Sequence, residues 1–557
     1  MKKRRPFYPE FWVVGLLLMW SGYGLVGHSP WKPDEGYTLG LVWSMAQTGD
    51  FVVPTLAGEP FLEKPPFYYG VAHFFGKGMG HVFPFHDAAR LTSGFFTLMT
   101  ALFLFLSVRE IFGKGAAAIS IPLFVGAPDL CVTSHFLITD VSLLTGFALS
   151  LYGLCLSRRF PRWGGVLLGT GMGMGFLSKG LLILGVGALT VLISALLGTF
   201  EEISRRKTVK WSVGSLLPWV TVWPYLLFAR DPGLFREWFW QNNIGRFFYS
   251  VGGPPRDPFL FVKNLFWQSG PAFVGAGYLF YKKWKWIWND VSLRTITVFF
   301  ISTLVVLSTA SANGRLLYGL PLILPVVILG SGGFHLWRMK PRVRKVLAGI
   351  TESILWIGII VLWGAWVLVY PGHVVKGQWM GPSCGRWAVL AAGILTLFVA
   401  QMVKFLKGWR HRWLAGWAGS VAIVWGLLTT LWLPLFDTQK SYKGVFAELA
   451  HRLPPSADVY SLHLGEPQRA ILDYYHGIKT KRVEREWGSI GGHFRIGSVS
   501  SADVFFQYET LPKGAHLLIQ QVGPSANKFP AGSDWIMAWE GSRCGDNRER
   551  YRLFRKL

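Results

Sequence analysis

Charge is scarce in this chain, and acidic charge scarcer still. Of 557 residues only 15% are charged, against 51% hydrophobic and 16% aromatic, and mean hydropathy is +0.34. A soluble domain carries roughly 25% charged residues, so much of this surface is solvated by something other than water. Basic residues outnumber acidic ones 56 to 30, a formal net charge of +26. Such an excess can mark a nucleic-acid binder. Here the basic residues lie between long apolar runs, which points to membrane lipids as the surroundings and to no nucleic acid. Cysteine is nearly missing, with four in all, too few for a disulfide framework, and no Cys/His spacing fits a metal site. Cys131 and Cys155 fall in or beside apolar runs. Cys384 and Cys544 fall in segments expected outside, where a bridge is open to them, but nothing in the sequence brings those segments together. The basic, then apolar, N-terminus lacks the small-residue cleavage site of a signal peptide and reads as an uncleaved first span. There is no internal repeat, which disfavours transporters built from duplicated halves.

What the chain does have is apolar length. Runs able to cross a hydrocarbon core occur near 11–27, 91–108, 116–131, 141–157, 164–177, 181–199, 211–228, 259–281, 295–310, 317–337, 348–370, 388–405 and 414–434. They give an expected α-helical, polytopic membrane protein of about thirteen transmembrane helices. Basic clusters precede the first run and follow the fourth, sixth, eighth, tenth and twelfth, always on the same side in that count. By the positive-inside rule that side is the cytoplasm, so the N-terminus is cytoplasmic and the C-terminus outside. Residues 1–436 are then the transmembrane domain. Residues 437–557, with strand-like runs at 459–464, 516–521 and 535–540 between turn residues, are a small outer α/β domain. The glycines at 169–175 read as close helix packing rather than a phosphate-cradling loop.

The longest outer connection, residues 28–90, is expected on the membrane surface as short amphipathic helices. It carries Asp34-Glu35 just after the first run, then Gly49-Asp50-Phe51, then Glu63-Lys64-Pro65-Pro66-Phe67-Tyr68-Tyr69. Other outer connections hold Asp140, Lys179 in Ser178-Lys179-Gly180, and Arg315 with Tyr318. Ionisable groups at membrane depth are costly and tend to face a cavity in pairs. Three acids (Asp34, Glu63, Asp140) and three bases (Lys64, Lys179, Arg315) meeting at one outer surface suit a ligand with an anionic group and a hydroxyl to activate, such as a lipid-linked sugar phosphate.

These residues resemble the GT-C superfamily of membrane glycosyltransferases, and among them the lipid A aminoarabinose transferases and the protein mannosyltransferases. Asp34-Glu35, Gly49-Asp50-Phe51 and Glu63-Lys64-Pro65-Pro66 match that family's first loop; Thr139-Asp140, Ser178-Lys179-Gly180 and Arg315 with Tyr318 have weaker counterparts. The chain departs from the pattern twice. Tyr37 stands where the family has an Arg, and Pro254-Pro255-Arg256-Asp257-Pro258 lacks the family's His. That His and Glu63 would share a divalent metal, so its loss removes one of the two ligands.

The resemblance implies an inverting transfer of a sugar from a polyprenyl-phosphate donor to an acceptor, lipid or protein, at the outer face of a bacterial inner membrane. Asp34 is the expected general base, with Glu35 second. Lys64 heads the groups expected to hold the departing phosphate, helped by Lys179, Arg315 and Tyr318, while Tyr68 and Tyr69 are expected at the mouth of a lipid groove. No cofactor is required. Two other readings stay open: mannosyl transfer to protein Ser/Thr, and a lipid-phosphate transporter or flippase with no chemistry.

Overall fold

The computed structural model describes residues 9–31, 34–197, 206–245, 257–310, 315–369, 374–375, 378–379, 386–455, 457–483, 511–522, 534–546 and 548–557. The N-terminal basic run, the 254–256 segment and the Cys384–Cys544 pairing lie outside these residues.

Each apolar run becomes a helix, but the helices are unequal. Seven among the described residues are long and apolar enough to cross a membrane, or eight if Arg412–Leu428 and Leu433–Lys440, bent by 63°, are one broken span. The protein is therefore a multi-pass membrane protein, with seven or eight such spans where about thirteen runs were expected. The difference has local causes. The first run forms a helix α1 of only 14 residues, Pro9–Gly22, roughly 21 Å of rise. The eighth breaks at Gly270-Pro271, where Gly270 takes φ +54°, into Leu260–Ser269 and Pro271–Asn289. Leu433–Lys440 also runs across the 436/437 boundary expected between domains.

The first connection departs most from expectation. Helix α2, Asp34–Thr48, is not a surface helix: every residue from Glu35 to Val42 is buried. Its glycines allow this. A Cβ on Gly36 would lie 2.7 Å from Pro467 Cβ, and one on Gly40 would lie 2.6 Å from Ala470 Cβ. Both partners belong to the helix Glu466–His476 of the C-terminal part, so α2 is clamped between that part and the helix bundle. Gly49 (φ +70°) ends α2. Asp50 Oδ1 then accepts from Val52 N at 2.9 Å and Val53 N at 3.2 Å, so the Gly-Asp-aromatic motif is a turn. A two-strand hairpin follows, β1 (Thr55–Leu56) and β2 (Glu59–Pro60), turned by Ala57 and Gly58, both at positive φ. Pro65 and Pro66 lead into α3, Phe67–Met79, and thence to α4, Phe85–Phe112. Next come α5 (Lys114–Val125), α6 (Pro128–Thr133), α7 (Asp140–Ser157) and α8 (Pro161–Lys179).

Helices α7 and α8 form an antiparallel hairpin packed backbone to backbone. A Cβ on Gly146 would lie 2.7 Å from Gly171 O and 2.8 Å from Gly175 N, and one on Gly164 2.5 Å from Ser157 N. The Gly-rich run is thus a packing surface, and it sets the first residue of α7, Asp140, beside the last of α8, Lys179. The C-terminal part carries a five-stranded sheet. Val459–Leu462 pairs in parallel with Lys481–Arg482 on one side and His516–Val522 on the other. Glu549–Lys556 then lies antiparallel between His516–Val522 and Trp535–Gly541.

Because the α7–α8 contact meets backbone atoms that cannot swing away, Gly146→Val should destabilise the protein by about 1–3 kcal/mol. A lowered melting temperature in detergent checks this, and an unchanged one would mean the hairpin can part without cost.

Candidate active site

Asp34 and Glu35 are neighbours in sequence and opposites in surroundings. Consecutive helical residues point about 100° apart, so the two carboxylates meet different surroundings. Glu35 is 1% exposed. Its Oε1 accepts from Arg90 Nε at 2.8 Å and from Leu137 N at 2.9 Å, and its Oε2 from Trp31 N at 3.1 Å. Arg90, on α4 and fully buried, also donates to Asp87 Oδ1 (2.7 Å), Leu25 O (3.0 Å) and His28 O (3.2 Å). Burial alone would raise the Glu35 pKa, but the Arg90 guanidinium and the Leu137 amide hold it below the usual carboxylate range. Such a carboxylate ties the first connection to α4 and to the α6–α7 turn; it has no free oxygen with which to take a proton.

Asp34 keeps 23% side-chain exposure. Its Oδ1 accepts from the Tyr37 hydroxyl at 3.2 Å and stands 3.8 Å from Arg315 Nη1. Among the described residues Oδ2 has no hydrogen-bond or ion-pair partner.

Lys64 comes to the same place because the hairpin and Pro65 fix its backbone against α2. It is 8% exposed, and its ammonium donates to the Tyr37 hydroxyl and lies 5.0 Å from the centre of that ring. Burial would lower its pKa, but Glu63, the Tyr69 hydroxyl, Asp140 and Asp34 together hold it raised. Tyr37 is held well above its ordinary value, first by burial and then by Asp34, Glu63 and Asp140, so it stays a neutral hydroxyl. Lys179 pairs with Asp140 and sits over the Tyr318 ring, 4.3 Å from its centre. The structure thus brings together Asp34, Lys64, Asp140, Lys179, Arg315 and Tyr318, the residues expected to meet, with Arg315 the most open cation at 41% exposure. Glu63 is an electrostatic neighbour of Lys64 and Tyr37 and also lines a cavity with Glu59, Glu237, Glu466, Arg469 and Arg482.

One expectation needs correction. Tyr68 and Tyr69 do not line an open groove mouth: both are fully buried, with the Tyr68 hydroxyl hydrogen-bonded to Ser93 Oγ at 2.7 Å. The Tyr69 hydroxyl has no hydrogen-bond partner among the described residues. As for a metal shared by Glu63, no three His, Cys, Asp or Glu among the described residues are grouped so as to hold an ion.

Sequence reading missed the residues that position this site. Arg90 had served only as the end of the first connection. Gln268, 3% exposed, donates to Asp129 Oδ2 (2.7 Å) and Leu316 O (3.0 Å) and so anchors the turn bearing Arg315 and Tyr318. A lone Gln in an apolar helix, Leu260–Ser269, was the signal available for it.

This architecture, apolar helices with the first connection and a C-terminal α/β part meeting over an acid–base cluster, is a fold already seen in solved structures. The structure of ArnT from Cupriavidus metallidurans superposes with TM-score 0.69 over 98% of this chain and 97% of that one, at 18% identity. The same protein bound to undecaprenyl phosphate gives 0.67 over the same shares, at 19% identity. In sequence the chain is similar to arabinosyl transferases. It is 29% identical to the undecaprenyl phosphate-alpha-4-amino-4-deoxy-L-arabinose arabinosyl transferase of Serratia proteamaculans, over 79% of this chain and 80% of the relative. It is 24% identical to arabinosyl transferase 1 of Sodalis glossinidius, over 68% and 73%. Residues 64–228 match the dolichyl-phosphate-mannose-protein mannosyltransferase family model.

With Glu35 and Arg90 both sealed from water, neutralising one strands the other. Glu35→Gln should cost about 3–5 kcal/mol. The wild type's stability from this pair is fully present above the ordinary carboxylate pKa of 4.5 and is lost as pH falls through the lower folded value. Melting curves of wild type and variant that fall in parallel between pH 5 and roughly pH 3 would show that Glu35 contributes none of this dependence.

Proposed function

We propose that this protein is an inverting glycosyltransferase. It moves a sugar from a polyprenyl-phosphate donor to an acceptor in the bacterial envelope, lipid A or another glycan, at the outer face of the inner membrane. The observation that carries this reading is Asp34, whose Oδ2 is without a partner among the described residues while Oδ1 is fixed beside Arg315. A half-exposed cation and an available carboxylate oxygen at one point are what a displacement at a sugar phosphate requires. As the acceptor oxygen bonds to the anomeric carbon, its proton passes to Asp34 Oδ2. The bond from that carbon to the phosphate oxygen breaks, and the pair of electrons leaves with the polyprenyl phosphate. One base and no covalent intermediate give inversion. Arg315, the most open of the three cations, meets the departing phosphate first, with Lys179 and Tyr318 behind it and Lys64 adding positive potential from within. Similarity to the undecaprenyl phosphate-alpha-4-amino-4-deoxy-L-arabinose arabinosyl transferases supports 4-amino-4-deoxy-L-arabinose as the donated sugar and undecaprenyl phosphate as its carrier. The basic clusters support a cytoplasmic N-terminus and a periplasmic C-terminal part.

The match of residues 64–228 to a protein mannosyltransferase model supports a second reading, hexose transfer to protein hydroxyls. Mass spectrometry of envelope glycolipids and glycoproteins from cells with and without the gene separates the two by which product disappears. Asp34→Asn should reduce transfer by roughly 100- to 10,000-fold while leaving undecaprenyl phosphate binding intact, as read by titration of the purified protein. Undiminished turnover in that variant would remove Asp34 from the base role.

A further inference from the structure

Asp34 lies at the start of α2, and Tyr37 follows it by three residues, so their side chains share one helix face. The Tyr37 hydroxyl is held at both ends: it donates to Asp34 Oδ1 at 3.2 Å and accepts from the Lys64 ammonium. The polarity of this chain is dictated by the groups themselves. A lysine ammonium can only donate, and a tyrosine hydroxyl has one hydrogen. With Lys64 donating to the oxygen, that hydrogen is directed at Asp34. Tyr37 is 6% exposed, and its ring packs on Phe61 at 5.7 Å between centroids, so it has little freedom to turn away. Arg315 approaches the same oxygen, Oδ1.

We propose that Tyr37 is a positioning residue that couples Lys64 to Asp34. It holds Oδ1 so that Oδ2 faces the acceptor, and it commits Lys64 to the base rather than to direct contact with the donor phosphate. This rests on the reading of Asp34 as general base and deepens it. Tyr37 and Lys64 then form one unit: without the lysine the hydroxyl is free to rotate, and without the hydroxyl the lysine's charge no longer reaches Asp34 through a hydrogen bond. Phosphate contact falls to Arg315. A lysine that gripped the phosphate would instead act on donor affinity.

Steady-state kinetics of the full chain in detergent, with undecaprenyl phosphate-4-amino-4-deoxy-L-arabinose as donor, read this directly. Tyr37→Phe keeps the ring and its packing. It should lower kcat roughly 10- to 100-fold, the range for losing an orienting contact to a reacting group, with KM for the donor within about two-fold of wild type on the same argument. Lys64→Met should lower kcat by a similar factor, again with little change in KM. The double variant should be no slower than the slower single one, because both remove the same link. A merely structural tyrosine would not give that split or that non-additivity. If Lys64→Met raises KM and spares kcat, the lysine holds the phosphate and the coupling is wrong. Losses that multiply in the double variant overturn it too. A dead Asp34→Asn with an unimpaired Tyr37→Phe removes the coupling and keeps the base. An active Asp34→Asn removes both.

Discussion

The Glu35–Arg90 pair is the constraint on which the site depends. Both side chains are fully buried, and stripping two charges of water costs several kcal/mol for each ion unless their remaining hydrogen-bonding positions are filled. Here they are filled from three separate stretches of chain: Trp31 and Leu137 donate to Glu35, while Leu25, His28 and Asp87 accept from Arg90. The pair can therefore exist only when the end of α1, the start of α2, α4 and the α6–α7 turn are all in place. That requirement fixes the start of α2, and with it the direction in which Asp34 points.

The other side of α2 is held by absence of bulk. Gly36 and Gly40 let the helix Glu466–His476 approach until its Pro467 and Ala470 fill the space, so the C-terminal part roofs the first connection. Asp437 adds to this from the far end of the chain, accepting from Ser29 N at 2.9 Å and from the Trp31 indole at 2.8 Å. Beneath that roof the Gly-packed α7–α8 hairpin delivers Asp140 and Lys179. Asp140 acts electrostatically on both Tyr37 and Lys64, which joins the two halves of the cluster. A site assembled this way keeps its charges in fixed places before any ligand arrives, the condition under which electrostatic stabilisation of a transition state is most effective.

Much of this could be read along the chain, and the failures are instructive. The apolar runs were legible because hydropathy is a local property, as was the meeting of acids and bases, since a charge at membrane depth needs a partner. The length of each crossing was less so: Gly270-Pro271 breaks one run by backbone conformation, which hydropathy does not register. The last strand, Glu549–Lys556, went unread because five of its eight residues are Glu, Arg or Lys. Its buried ones, Tyr551, Leu553 and Phe554, count only once the sheet exists. Helix α2 was misread as a surface element because the glycines that bury it carry no hydrophobic signal of their own.

By itself the sequence determined the class of molecule, the apolar runs and the set of ionisable residues from which a site could be made. It could not rank Asp34 above Glu35 on physical grounds, nor Arg315 above Lys64 as the open cation. Those orderings are set by burial and by partners distant in sequence, Arg90 lying 55 residues from Glu35 and Leu137 lying 102. Only the tertiary structure decided them, because a carboxylate's reactivity follows from which of its oxygens are already engaged, and that depends on contacts no local stretch of chain contains.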